Sequence, residues 1–168
     1  MKLIKEICQD SEIRCEKYEL RKAVRTILLN AENEVALLNV SKFGYYKLPG
    51  GGIENNEKVL KALVREVKEE VGANISILNE LGIIIEYRNT HQLLQVSYCF
   101  VSTVKGKIGK SKFTEEEIND GFSVEWHTLP NAIKLLENTP NDYLSKYITG
   151  RDSAFLNEYK TLPYQKQG

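Results

Sequence analysis

The sequence GGIENNEKVLKALVREVKEEVG, which runs from Gly51 to Gly72 in a chain of 168 residues, decides the fold. An α-helix turns about 100° per residue, so apolar residues three and four positions apart share one face. A helix from about Glu57 to Val71 would therefore carry one aliphatic stripe. We expect this stripe to face a core, and it consists of Leu60, Leu63, Val64, Val67 and Val71.

Three carboxylates occupy a different face of the same helix. Glu66, Glu69 and Glu70 are spaced i, i+3 and i+4, and like charges at i, i+4 weaken a helix by about 0.2–0.5 kcal/mol per pair. A hard divalent cation would remove this cost and keep the carboxylates ionised. Taken alone, the EVKEEV segment favours an acidic, solvated face that the neighbouring lysines neutralise. The glycines and the glutamate at fixed spacing before and after it make a metal site the favoured interpretation.

The residues before the helix form a glycine-rich loop, Leu48-Pro49-Gly50-Gly51-Gly52. Successive glycines permit positive φ angles and allow the backbone to approach a ligand closely. Because the loop leads into a helix N-terminus, it would present backbone N–H groups and the positive end of the helix dipole to an anion. Most such loops are only turns, but this one, followed by this helix, predicts a site for phosphate and metal.

The spacing of these residues resembles the signature box of the Nudix hydrolases. The match consists of Gly51, five residues, Glu57, seven residues and then the run REVKEEVG, which ends at Gly72. The resemblance is specific over about residues 46–73 and only topological over about 20–137. It implies an α+β fold, an α/β/α sandwich of helices around a mixed β-sheet with a loop–helix–loop box. It also implies a metal-dependent enzyme that hydrolyses the diphosphate bond of a nucleoside diphosphate joined to another group.

The same resemblance implies a role for each charged residue of the box. Glu57 and Arg65 would brace the loop against the helix, and Gly72 would end the helix as a left-handed C-cap. Bound Mg²⁺ or Mn²⁺ ions would neutralise charge on the diphosphate and lower the pKa of a bound water. Four oxygen donors would bind these ions, namely the carboxylates of Glu66, Glu69 and Glu70 and the backbone carbonyl of Gly50.

The resemblance leaves the general base open, because family members differ in which glutamate serves. One group uses a residue of the box, here Glu66 or Glu69. Another group uses an acidic residue from a loop after the central sheet, and Glu117 in the run TEEE from Thr114 is the candidate here. The same run is also typical of a helix start, in which the threonine caps the helix and the carboxylates are solvated.

Substrate-binding residues outside the loop are harder to predict. Beside the loop at 50–52, the candidates are Tyr46, which leads into the loop, and Arg25. Arg21 and Arg88 would also suit a terminal phosphate, although ion pairs at strand edges explain these arginines as well. We expect most aromatic residues to pack in the core, but six are candidates for stacking on a base: Phe43, Tyr45, Tyr46, Tyr87, Phe122 and Trp126.

Charge and composition disfavour several other classes of protein. Lys plus Arg and Asp plus Glu both number 23, so no net charge favours nucleic acid or an anionic membrane as a partner. No apolar run approaches the roughly 18 residues that span a bilayer, and we see no signal peptide. Cys8, Cys15 and Cys99 form no CxxC pair, which disfavours a zinc site and suggests reduced thiols in the cytoplasm. We predict a cytoplasmic protein with a small-molecule nucleotide as partner, and leave a homodimer open.

The order of the predicted elements matches the implied fold. We predict a single Nudix domain over residues 1–168, with a core at about 20–137 and a helical extension at about 138–160. The first 20 residues are an edge strand or a dimer arm. Strands are predicted at 23–30, 35–40, 45–48, 75–88, 92–104 and 122–127, and helices after the box at 129–137 and at 142–160, the last broken near Gly150.

Three hypotheses about the activity follow. The first is hydrolysis of a nucleoside triphosphate or its oxidised form, and the second is hydrolysis of ADP-ribose or another nucleotide sugar. The third, from a different class, is a non-catalytic nucleotide sensor, which would favour a damaged box, whereas the box here is intact. An RNA decapping role would favour a basic groove, which the balanced charge argues against.

Overall fold

The computed structural model describes residues 1–8, 17–138, 140 and 142–163, and a mixed β-sheet lies at its centre. In these residues the sheet has seven strands: β1 (Leu3–Cys8), β2 (Glu19–Leu29), β3 (Val35–Val40), β4 (Tyr45–Lys47), β5 (Asn74–Arg88), β6 (Leu93–Lys105) and β7 (Phe122–His127). The helices are α1 (Val59–Glu70), α2 (Glu115–Asn119), α3 (Leu129–Glu137) and α4 (Tyr143–Lys160), with a short 3₁₀ turn at Asn89–His91.

The strand order is β1-β5-β6-β2-β3-β4, and β7 also pairs with β3. Strands β5 and β6 form a long antiparallel hairpin, whereas β1 is parallel to β5 and β2 is parallel to β6. Helix α1 packs on one face of the sheet, and α3 and α4 pack on the other. The predicted α/β/α sandwich with a mixed sheet is therefore confirmed.

Helix α1 is rotated about its axis relative to the prediction. Leu60 and Val64 are 49% and 46% exposed, so their assignment to the core stripe is wrong. The cause is Glu70, whose carboxylate is buried by polar contacts with the glycine loop and therefore fixes which side of the helix faces inward. The buried side consists of Ala62, Leu63, Val67 and Glu70.

Helix α4 continues through Gly150, so the predicted break is wrong. A glycine in a helix interior costs about 1 kcal/mol relative to alanine. Burial of large side chains on both sides of it offsets that cost, because Tyr147 and Phe155 are completely buried. Strand β7 and helix α3 have their predicted bounds, and β2 begins at Glu19, earlier than predicted.

The N-terminal segment forms β1, an edge strand that pairs with β5 of the same chain. Residues 9–16, which include Cys15, lie outside the described residues, and Cys99 is buried in β6. Within the described part of the chain, helices that combine the length and the apolar character needed to cross a membrane do not occur.

Candidate active site

The glycine loop lies along the edge of β2. The Val24 N–H donates to the Gly51 carbonyl (2.9 Å), and the Ile53 N–H donates to the Lys22 carbonyl (3.0 Å). Gly50 has φ of +129°, and a Cβ there would collide with the Val24 carbonyl. The loop therefore runs against β2 at a distance that only glycine allows.

Glu70 connects the end of helix α1 to this loop. Its Oε2 accepts a hydrogen bond from the Gly50 N–H (2.6 Å), and its Oε1 lies 3.1 Å from Nζ of Lys47. Burial raises the pKa of Glu70, although the charge of Lys47 and the Gly50 N–H act in the opposite direction. The carboxylate thus lies in a place where a cation would stabilise its ionised form.

Arg65 is the centre of a second group of contacts. Its guanidinium binds Glu57 in a bidentate pair (3.0 and 2.9 Å) and donates to the Gly52 carbonyl (3.0 Å). The Arg65 hydrogen bonds lower the pKa of Glu57 to about 2. The same guanidinium lies 2.9 Å from Glu66 and 3.1 Å from Glu69. Arg65 therefore joins the loop, the turn before α1 and two of the predicted metal ligands.

Glu66 and the loop backbone approach each other closely. A Cβ on Gly51 would collide with the Glu66 carboxylate. Burial and then the charge of Glu70 raise the pKa of Glu66, while Arg65 lowers it. Glu69 is more open, with 47% of its side chain exposed. At the end of α1, Gly72 has φ of +73°, as expected for a residue that ends a helix in the left-handed conformation.

These groups surround a cavity of about 530 Å³. Charges of both signs line it. The acidic side chains are Glu54, Glu66, Glu69, Glu70 and Glu117, and the basic ones are Arg21, Arg25, Lys47, Arg65 and Lys112. The remaining lining is the glycine loop with Thr114, and no aromatic side chain of the described residues contributes. The cavity is thus suited to a polyanion that arrives with cations.

The donor set at the cavity fits a hard divalent cation. In the part of the chain described, no three carboxylate, imidazole or thiol side chains converge as a metal cluster, and the box glutamates bind Arg65 and Lys47. Carboxylate and backbone oxygens are nevertheless the ligands that Mg²⁺ prefers. Glu66 and Glu70, with pKa values raised by burial, would gain from a nearby cation. The assignment of Gly50, Glu66, Glu69 and Glu70 as metal ligands stays a prediction.

The structure brings Arg25 to the cavity but not Tyr46. Arg25 is buried, and its Nη1 donates to the Val24 carbonyl (2.6 Å) and the Gly51 carbonyl (3.3 Å). Tyr46 lies on the other face of β4, where its hydroxyl donates to Glu125 (3.2 Å). Adjacent residues of a strand point to opposite faces, so Lys47 takes the position by the cavity that we expected of Tyr46.

Glu117 lines the cavity and also caps helix α2. Its Oε2 accepts from the Thr114 N–H (2.8 Å), and its own N–H donates to Oγ1 of Thr114 (3.3 Å). This reciprocal pair is the capping box that the sequence run is typical of. A role for Glu117 as general base stays a prediction, as it does for Glu66 and Glu69.

Sequence reasoning missed several polar residues that line the cavity or bind the segment leading into the glycine loop. Lys47 and Lys112 carry no local signal, because each is one of many lysines. Arg151 and Asp152 did carry a local signal in the sequence, because they lie on α4 between Tyr147 and Phe155, on the side that is buried. Charged residues within an apolar helix face are uncommon and indicate a buried polar network.

Comparisons of the sequence and of the fold with known proteins agree on the family of this chain. A profile of the NUDIX domain matches residues 19–147. Human diphosphoinositol polyphosphate phosphohydrolase 2 is 32% identical over 152 residues, which cover 88% of this chain and 79% of that protein. The MutT protein from Methanosarcina mazei has a similar fold, with a TM-score of 0.64 at 19% identity over 92% of this chain and 100% of that one. The Ap4A hydrolase of C. elegans gives a TM-score of 0.57 at 16% identity over 84% and 97%.

Proposed function

Since the chain belongs to the NUDIX domain family and is a pyrophosphohydrolase, we propose that it hydrolyses the diphosphate bond of a phosphate-rich small molecule with Mg²⁺ or Mn²⁺. The observation that carries this proposal is the cavity itself. The box carboxylates line it together with the cationic side chains of Arg21, Arg25 and Lys47. A diphosphate with its cations would complement both kinds of charge.

The metal ions are assigned to Glu66, Glu69 and Glu70 of the box with the carbonyl of Gly50, the residue directly before the box. When bound, such ions polarise the diphosphate and lower the pKa of a water molecule. The N–H groups of Gly51 and Gly52 and the guanidinium of Arg25 are assigned to the diphosphate oxygens. Arg65, which also lines the cavity, holds Glu66 and Glu69 in place through its ion pairs with them.

The general base is assigned to the box, to Glu66 or Glu69. Burial raises the pKa of Glu66, which is the direction that favours a general base near neutral pH. Glu69 is exposed enough to accept a proton from solvent-side water. The carboxylate of Glu117 is already bound in the capping box of α2, which makes it the weaker candidate.

The composition of the cavity favours a substrate rich in phosphate over a nucleobase. No aromatic side chain of the described residues lines it, so a base has no platform to stack on inside. Curated relatives that are 31–32% identical are named for hydrolysis of diphosphoinositol polyphosphates. A diphosphoinositol polyphosphate is therefore the first proposed substrate.

A nucleoside triphosphate, or its oxidised form, is the second proposed substrate. Phe113 and Phe122 form an edge-to-face pair with 5.9 Å between the ring centroids. Phe113 lies between Lys112 and Thr114, which both line the cavity. The ammonium of Lys47 lies 4.8 Å from the Phe122 ring, so this pair borders the diphosphate site. A base that projects from the cavity would meet these rings, and ADP-ribose would place its adenine there in the same way.

The test is a panel of these substrates with Mg²⁺ or Mn²⁺ and separation of the products. Release of orthophosphate from a diphosphoinositol polyphosphate supports the first substrate. Pyrophosphate from a triphosphate, or AMP with ribose 5-phosphate from ADP-ribose, supports a nucleotide. A Phe113→Ala variant should lower kcat/KM for nucleotides only. If every substrate is bound and none is turned over, the chain is a sensor and the proposal is wrong.

A further inference from the structure

Helix α4 reaches the glycine loop through one carboxylate. The N–H of Leu48, two residues before Gly50, donates to Oδ2 of Asp152 (2.8 Å). Oδ1 of Asp152 accepts from Nε of Arg151 (2.7 Å), so both oxygens of this buried side chain are bound. The loop is therefore held on one side by Glu70 of the box and on the other by Asp152 of a helix outside it.

The same contacts continue from Arg151 to another residue that lines the cavity. Nη1 of Arg151 lies 3.5 Å from Oε2 of Glu86, which also accepts from the Gln95 amide (2.7 Å). Oε1 of Gln95 accepts in turn from Nη1 of Arg21 (2.7 Å), and Arg21 lines the cavity. A continuous series of hydrogen bonds thus joins the loop at Leu48 to Arg21 through α4.

Burial gives this network a fixed geometry. Glu86 and Asp152 are completely buried, and Arg151 is 1% exposed. Burial raises the pKa of Glu86, but the charges of Arg151 and then Arg88 outweigh it and hold that pKa below its usual value. Glu86 therefore stays ionised among arginines, and each buried side chain of the network has few alternative positions.

Stability alone does not account for such a network. Replacing a buried ion pair with packed apolar side chains is often neutral or stabilising. Moreover, the cluster holds more arginines than carboxylates, and Nε of Arg25, Nε of Arg88 and Nη2 of Arg151 have no hydrogen-bond partner among the described residues. The excess of positive charge faces the cavity through Arg21 and Arg25, both of which line it.

We propose that Asp152 and Arg151 are positioning residues for the diphosphate hydrolysis. Asp152 sets the position of the loop that contributes Gly50, and Arg151 sets the position of Arg21 through Glu86 and Gln95. This inference rests on the proposed function for its effect on the rate. It assigns part of the active-site geometry to α4, which lies largely beyond the NUDIX match at 19–147.

The Asp152→Asn variant tests the loop branch. Asparagine keeps the size of the side chain but has one oxygen acceptor for two donors, the Leu48 N–H and Nε of Arg151. One of these two hydrogen bonds must therefore break. We expect kcat to fall about 10- to 100-fold, as for groups that orient catalytic residues, with a smaller change in KM. Amide hydrogen exchange at residues 48–52 should become faster, and this measurement needs no substrate.

Phe155→Leu is the matched control. Phe155 is buried on the same helix and contributes to the core, without a hydrogen bond to the loop. It should lower stability while leaving kcat and the exchange at 48–52 unchanged under conditions where both variants are folded. The proposal is overturned if Asp152→Asn behaves like Phe155→Leu in both measurements.

Gln95→Leu tests the contacts that lead from Arg151 to Arg21. It also keeps the proposal testable if Asp152→Asn does not fold. Arg21 loses its partner in this variant, and we expect KM to rise about tenfold with little change in kcat. An unchanged KM overturns the assignment of Arg21. If the wild-type chain hydrolyses no diphosphate, the proposed function fails, whereas faster exchange at 48–52 in Asp152→Asn still supports the role of α4.

Discussion

Two charged networks border the same cavity, and they differ in exposure and in sign. The network around Arg65 is partly exposed and has an excess of carboxylates, with Glu57, Glu66 and Glu69 as its partners. The network around Arg151 is buried and has an excess of arginines. The difference suggests that the two networks have different functions. The exposed network is suited to bind cations and water, and the buried one holds the backbone of the glycine loop in place.

The largest expected effect is on the rate, from the exposed network. Glu69→Gln or Glu70→Gln removes a predicted metal ligand, which is worth several kcal/mol in the transition state. We expect kcat/KM to fall on the order of 10³-fold or more, with the fold intact. The measurement is metal-dependent turnover, with Glu115→Gln on the exposed start of α2 as control. Full rates in both variants would show that the predicted metal site is wrong.

The second effect is on stability and comes from the buried network. Arg151→Met leaves buried Asp152 without its arginine and removes one of the two arginines that bind Glu86, and the loss of a partner from a buried pair costs about 3–5 kcal/mol. In a chain of this size the melting temperature should fall by about 6–20 °C. The comparison is Lys42→Met, which breaks an exposed pair with Asp120 and should cost less than about 1 kcal/mol. Equal losses in the two variants would remove the distinction between the networks.

A third effect links pH to metal concentration. Burial raises the pKa of Glu66 and of Glu70, so protons and cations compete for these oxygens as pH falls. We expect activity to fall below the raised pKa values, and a higher Mg²⁺ concentration to move that fall to lower pH. Metal-free stability has the opposite sign: the folded state binds these protons more tightly, so this contribution improves as pH drops. The measurement is the profile of kcat/KM against pH at two Mg²⁺ concentrations. The prediction is contradicted if the two profiles coincide.

The smallest effect concerns Glu57. Arg65 lowers its pKa to about 2, so its contribution to stability is present above the unfolded pKa of about 4.3 and is lost as pH falls through about 2. The melting temperatures of wild type and Glu57→Gln should therefore differ at pH 6 and converge near pH 2. A difference of the same size at both pH values would mean that the ion pair is not its source.

The sequence predicted the box well because its contacts are local. Glu57, Arg65 and Glu69 are within twelve positions of one another, and helical spacing alone brings the last two together. Strands β5, β6 and β7 were predicted for a similar reason, since alternating apolar residues and turn residues report on neighbours along the chain.

The errors arose where a distant contact decides the outcome. The burial of Glu70 depends on Gly50 and Lys47, and it turns Leu60 towards solvent although the apolar period placed Leu60 in the core. Lys47 lines the cavity where we expected Tyr46, because the face to which a strand residue points depends on the register of the strand in the sheet. The Asp152 contact with Leu48 joins residues 104 positions apart, and no local pattern reports it.

That separation also has a consequence for the timing of protein synthesis. At 5–20 residues per second, a ribosome makes Leu48 about 5–20 s before Asp152. During this interval the nascent chain carries every glutamate of the box, while the loop lacks its second attachment. A chain released before α4 would carry the family motif without the Asp152 contact to its loop, so the proposed positioning role predicts a weaker enzyme from such a chain.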